Sequence, residues 1–225
     1  MNKFLWKIED TCLDYTPVTI IKNAVTKQKA AEIAEQVIEY SKSEHSKEFQ
    51  KFNEDNNPGC WRGFPLIAPD DVIGLSRENK NLIQDTIMEA GKHYQNSWPD
   101  APYLRVTTWQ RSIFEESEYD VNVWFNINQK GAANMIHNHQ GAFFSGVLYF
   151  QAEGTGNIRL YPENYLIGHT HPMWKYKGSM IHTPEDGDML LFPGHLLHDV
   201  EANPSDQPRV NCAFNVALAV KHIPS

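Results

Sequence analysis

From Arg209 to Val220 the chain alternates between two kinds of side chain with a strict period of two. Val210, Cys212, Phe214, Val216, Leu218 and Val220 point one way, and Arg209, Asn211, Ala213 and Asn215 point the other. Successive side chains of a strand project to opposite faces. Such a strand therefore sets one face on a packed apolar layer and the other on a polar cavity. The same period recurs upstream, where Val121, Val123, Phe125 and Ile127 alternate with Asn122, Trp124 and Asn126, and two shorter apolar runs at 143–150 and 187–192 read as further strands. The earlier chain has a different rhythm. Thr26 to Tyr40 carries Ala30, Ala31, Ile33, Ala34, Val37 and Ile38 at helical spacing behind Thr26, a natural N-cap. Asn79 to Trp98 places Leu82, Ile83, Ile87, Met88 and Tyr94 on one helical face and stops before Pro99. Residues 44–72 are polar and rich in Asn, Gly and Pro, which predicts a long loop or lid; residues 162–183 are a second lid candidate. Helices first, then antiparallel strands with a polar interior, predict a mainly β fold: a jelly-roll or cupin-like barrel backed by N-terminal helices. The expected division is a helical part over 1–100 and a barrel over 101–225, together one structural domain.

Composition narrows the partners. The net charge is −8, with 28 acidic against 20 basic residues, so a phosphate-backbone partner is not expected and nucleic acid is set aside. Cys12, Cys60 and Cys212 are odd in number and lack CxxC spacing, which argues against a disulfide framework or a thiolate zinc site and fits a reducing cytoplasm. No apolar run reaches the roughly 20 residues of a membrane span. The expectation is a cytoplasmic monomer or homodimer.

The histidines carry the chemistry. Seven of ten lie between positions 137 and 198. His137-Asn138-His139 precedes the run at 143–150, and His198 follows the buried run Gly187-Asp188-Met189-Leu190-Leu191-Phe192. Two imidazoles two residues apart on a strand share a face, and a third from a distant strand completes a set of three ligands. His169 and His171 repeat the spacing beside Gly168 and Pro172 and read as loop residues. His195 competes with His198 as the third ligand. Three imidazoles suit iron, copper, zinc or nickel, so they do not name the metal. Arg209 discriminates better, because it opens the final strand on its polar face and a buried guanidinium needs an anion. The alternative is a structural salt bridge with one of the many acids. Tyr149, Ser145 and Asn215 could complete an anion-holding set with Arg209.

The ordered string Trp124…Asn126…Asn128…Gly131…Asn134…His137-x-His139…Ser145-Gly146-Val147…Tyr149, then Gly187-Asp188…Leu191-Phe192-Pro193…His198…Arg209…Asn215, resembles the 2-oxoglutarate/iron(II)-dependent oxygenases related to prolyl 4-hydroxylase, a family with largely unassigned substrates. The resemblance covers about residues 105–220. It implies a double-stranded β-helix, with His137 and His198 as iron ligands and Arg209 holding the distal carboxylate of 2-oxoglutarate. It also implies an oxygenase that releases succinate and CO2 while oxidising a small-molecule or peptide substrate with O2. The wider superfamily carries HxD or HxE. Here His139 stands in the carboxylate's place, so the chain either uses three histidines or leaves that position to water or chloride. An imidazole can reach the metal, which favours His139 as a ligand and leaves the site one charge more positive. Two other readings stay open: a three-histidine cupin dioxygenase that does not use 2-oxoglutarate, and a non-catalytic barrel that binds a small molecule.

Overall fold

The computed structural model describes residues 6–13, 16–50, 59–66, 74–98, 119–162 and 178–218. Among these residues the chain forms eleven strands and three helices. The strands are β1 (Lys7–Leu13), β2 (Thr16–Lys22), β3 (Cys60–Gly63), β4 (Tyr119–Asn128), β5 (Asn134–His137), β6 (Ala142–Gln151), β7 (Ile158–Leu160), β8 (Met180–His182), β9 (Met189–Pro193), β10 (His198–Val200) and β11 (Arg209–Leu218). The helices are α1 (Lys27–Ser41), α2 (Glu44–Gln50) and α3 (Arg77–Ser97). A seven-stranded sheet runs β1-β2-β9-β6-β11-β4-β3 and a four-stranded sheet runs β5-β10-β7-β8. Their described pairings are antiparallel. This is the double-stranded β-helix expected from the sequence.

Alternation along the central strands builds two layers at once. Phe125 and Ile127 of β4, Phe144, Leu148 and Phe150 of β6, and Val210, Cys212, Phe214 and Val216 of β11 are buried in one cluster with Ala30, Ile33, Ala34 and Val37 of α1 and Ile83, Ile87, Ala90 and Tyr94 of α3. The intervening residues of the same strands face the interior between the sheets. There Val18, Ile20, Tyr149, Ile158, Leu160, Leu190, Phe192 and Leu196 form a second cluster. Gly146 is the gap in this pattern: a Cβ there would stand 2.2 Å from Cζ of Phe214, so the missing side chain makes room for the aromatic ring.

The helices are placed by their caps and apolar stripes. Thr26 accepts from the Lys29 amide and caps α1 as expected. Helix α3 starts earlier than its apolar stripe suggests, because Ser76 accepts from the Asn79 amide at 3.2 Å. Asn79 lies inside the first turn, donating to Glu32 and Gln36 of α1 at 2.9 and 3.1 Å.

Two expectations need correction. The first hundred residues are not only helical, since β1 and β2 extend the large sheet by pairing β2 with β9, Thr19 opposite Leu191 and Ile21 opposite Met189. Both faces of β2 are covered, so its side chains Thr16 to Ile21 are buried and show no alternation of polarity. Nor is 44–72 one loop. It contains α2 and β3, with Trp61 donating to Ser46 at 2.9 Å and β3 pairing along β4. Residues 51–58 and 67–73, positions 163–177 of the second lid candidate, and Val220 lie outside the described residues.

Candidate metal centre

His137 closes β5 and pairs directly with His198, the first residue of β10. His139 lies just beyond β5, so the two histidines do not share one strand. Its backbone N–H donates a hydrogen bond of 2.7 Å to Gly194 O. The result still brings the three rings together. Ring centroids lie 4.2 Å apart for His137 and His198, 5.1 Å for His139 and His198, and 5.2 Å for His137 and His139. One nitrogen from each lies within 4.8 Å of the other two. His195 is exposed and outside this group. His169 and His171 lie outside the described residues.

Hydrogen bonds fix which nitrogens converge. Nδ1 of His137 is 2.6 Å from Met135 O, and Nδ1 of His198 is 2.9 Å from Leu196 O. A carbonyl only accepts, so each Nδ1 carries the proton and each Nε2 keeps a lone pair for a metal. Nδ1 of His139 lies 3.3 Å from Nδ2 of Asn215, whose Oδ1 accepts from the Ser145 hydroxyl at 2.7 Å. The amide's oxygen and nitrogen have the same shape. With the oxygen turned to His139 it accepts the Nδ1 proton, and the third Nε2 is freed as well. The rings of His139 and His198 are held neutral. Burial, then the neighbouring His137 and Arg62, lower His139 to about 4. Burial, then His137, lowers His198 to about 3 against an opposing bond to Leu196.

The same cavity, about 380 Å³, ends at Arg209. Arg209 is 1% exposed. Its Nη1 donates to Thr155 O at 2.9 Å and Glu201 O at 3.4 Å, while Nε and Nη2 are buried without a partner among the described residues. The salt-bridge alternative is not what the structure holds. The Glu201 carboxylate accepts from Asn157 and Arg159 instead. Burial pulls the Arg209 pKa below its ordinary value, so the charge lacks compensation. Tyr149 lines the cavity, and burial pushes its phenol up, leaving a neutral hydroxyl.

Ser145 and Asn215 do not join Arg209. Asn215 lies six residues along β11, roughly 20 Å away at strand spacing, and Ser145 pairs opposite it. They belong to the His139 end, where their hydrogen bonds hold the ring. The lining residues not assigned a role from the sequence include Arg62, Trp124, Asn126 and Asn211. The last three stood at inward positions of period-two strands, which was the available signal. Arg62 had none, because β3 is only four residues long.

Comparison with known proteins agrees with this geometry. Residues 122–215 match the family described as "Putative 2OG-Fe(II) oxygenase". This segment is similar to that family. That family uses Fe(II) and 2-oxoglutarate. The fold is similar to a Pseudomonas putida prolyl-4-hydroxylase, with 12% identity, TM-score 0.54, and coverage of 96% of this chain and 94% of that one. It is also similar to a Trichoplax adhaerens prolyl hydroxylase in complex with a hypoxia inducible factor peptide fragment, with 13% identity, TM-score 0.56, and coverage of 89% and 83%. The non-heme alpha ketoglutarate dependent epimerase SnoN of nogalamycin biosynthesis aligns at 10% identity and TM-score 0.57, over 90% of this chain and 76% of that one. No curated protein sequence matches the chain. Among the described residues no helix is long and apolar enough to cross a membrane.

Proposed function

We propose that this chain oxidises a small molecule or peptide side chain, most simply by hydroxylation, coupled to conversion of 2-oxoglutarate and O2 to succinate and CO2. The observation that carries the reading is the pair of unsatisfied nitrogens on buried Arg209, in one cavity with three converging histidines. His137, His139 and His198 would hold Fe(II) through Nε2, since their Nδ1 atoms are engaged elsewhere. Bound Fe(II) supplies the reaction of O2 with 2-oxoglutarate, one oxygen atom going to succinate and the other to the substrate. Arg209 offers Nε and Nη2 as a fork for the distal carboxylate of 2-oxoglutarate, the planar geometry that suits two parallel charge-assisted bonds. Tyr149, neutral and beside it, can donate a further bond to the same group. Ser145 and Asn215 act on the other side, orienting His139 rather than touching the co-substrate.

The test is stoichiometric. Purified protein, loaded anaerobically with Fe(II) and then given O2 and 2-oxoglutarate with a metabolite and peptide pool, should release succinate in step with 2-oxoglutarate consumption. A substrate-derived product one oxygen atom heavier should accumulate. Oxygenation of a substrate without succinate would instead support a three-histidine dioxygenase, and failure to bind iron would leave a binding barrel.

A further inference from the structure

A second cation faces the cavity. Arg62 of β3 lies opposite Asn126 of β4, which lies opposite Asn211 of β11, so one inward row crosses the sheet toward Tyr149. Asn126 donates to Asn211 at 2.9 Å, which turns its oxygen toward Arg62 Nε at 3.4 Å. The guanidinium carbon stands 5.6 Å from the centre of the Trp124 ring, and that ring is 5.8 Å from His139. Arg62 is thus held over an aromatic face on the metal side of the cavity. Among the described residues the guanidinium–carboxylate pairs belong to Arg159, and no Asp or Glu lines the cavity.

Charge balance gives this placement a meaning. With neutral imidazoles as the only protein ligands, Fe(II), Arg209 and Arg62 bring four positive charges to the cavity, and 2-oxoglutarate neutralises two of them. A carboxylate ligand would have removed a third; His139 does not. The remaining charge lies in a chain whose net charge is −8, so it is a local feature against the overall sign. Arg62 is half-buried and keeps its Nη atoms without a protein acceptor among the described residues. A guanidinium on an aromatic face loses little water and keeps its fork edge open for an oxyanion.

Resting on the oxygenase reading above, we propose that Arg62, backed by Trp124 and Asn126, binds a carboxylate or phosphate group of the primary substrate. The enzyme would then act on anionic molecules, and the site is separate from the Arg209 fork.

Calorimetry under anaerobic conditions tests this on Fe(II)-loaded protein saturated with 2-oxoglutarate. The probes are N-acetyl-L-aspartate for a carboxylate and inorganic phosphate for a phosphate. Wild type should bind one of them while retaining 2-oxoglutarate, and the probe that binds names the oxyanion. Arg62→Gln should weaken that probe by about tenfold or more, the scale of a charge-assisted hydrogen bond. Arg62→Lys should fall between, and 2-oxoglutarate affinity should be unchanged in both. On wild type alone, the bound probe should protect the Arg62 peptide from phenylglyoxal, read by mass spectrometry, which keeps the test valid if Arg62→Gln folds poorly. Binding of neither probe, equal binding by Arg62→Gln, or displacement of 2-oxoglutarate by the probe overturns the assignment of Arg62. Failure of wild type to bind 2-oxoglutarate at all overturns the oxygenase reading, and the inference with it.

Discussion

Each histidine of the centre depends on an acceptor that no ligand motif specifies. Met135 O and Leu196 O are backbone atoms two residues before their rings, so they come with the local turn. Asn215 is different, because it reaches His139 from another strand and is itself tied to Ser145. Asn215→Leu removes the side-chain amide that faces His139 Nδ1. It should weaken Fe(II) binding by roughly 10–100-fold, measured by anaerobic metal titration, while the fold is retained; unchanged affinity would mean that His139 is not oriented this way. At position 139 itself, Fe(II) affinity should rank wild type, then His139→Asp, then His139→Ala. Asp restores the usual carboxylate but reaches less far from the backbone, and Ala removes the donor. If Ala equals wild type in the same titration, the centre has two protein ligands and not three.

At the scale of elements, β6 and β11 are the frame on which both ends of the site are mounted, and their contact is close. Gly146→Ala would drive a methyl into the buried Phe214 ring and should cost about 1–3 kcal/mol as overpacking. Urea unfolding would measure it, and Phe214→Leu in the same chain should recover part of the loss; additive losses would refute the packing account. These two long strands were legible because each has one face on a core and the other on a cavity, so Val210 to Val216 and Arg209 to Asn215 separate cleanly by polarity. The rest was hidden for physical reasons. Strand β2 is covered on both sides, which erases alternation, and its partner β9 lies about 170 residues away, beyond any local signal. Strands β3, β5, β7, β8 and β10 have only three or four residues, too few to show a period. His139 was read as part of a strand because spacing cannot show where β5 ends. Ser145 and Asn215 were grouped with Arg209 because a shared face does not reveal the length of strand that separates them.

Over the whole molecule the charges are sorted: among the described residues no acidic side chain lines the cavity between the sheets, which collects uncompensated positive charge and imidazole. His182, on β8, shows what this burial costs. It is buried with Nε2 unpartnered among the described residues, and burial, then Lys22, lowers it to about 4. Its folded pKa lies below the ordinary 6.5, so the unfolded chain takes up the proton first. Stability is unaffected above pH 6.5, falls as pH drops from 6.5 toward 4, and levels off below, by about 3 kcal/mol for this group. His182→Leu should therefore lose less stability than wild type between pH 7 and pH 4.5 in urea melts, and equal losses would contradict the assignment. The central claim concerns Arg209, a buried cation. Titrating 2-oxoglutarate into anaerobic Fe(II)-loaded wild type and Arg209→Gln tests it most directly. The account predicts a loss of about 2 kcal/mol or more, roughly 30-fold in affinity, with iron content unchanged; equal affinity in the two proteins would contradict it.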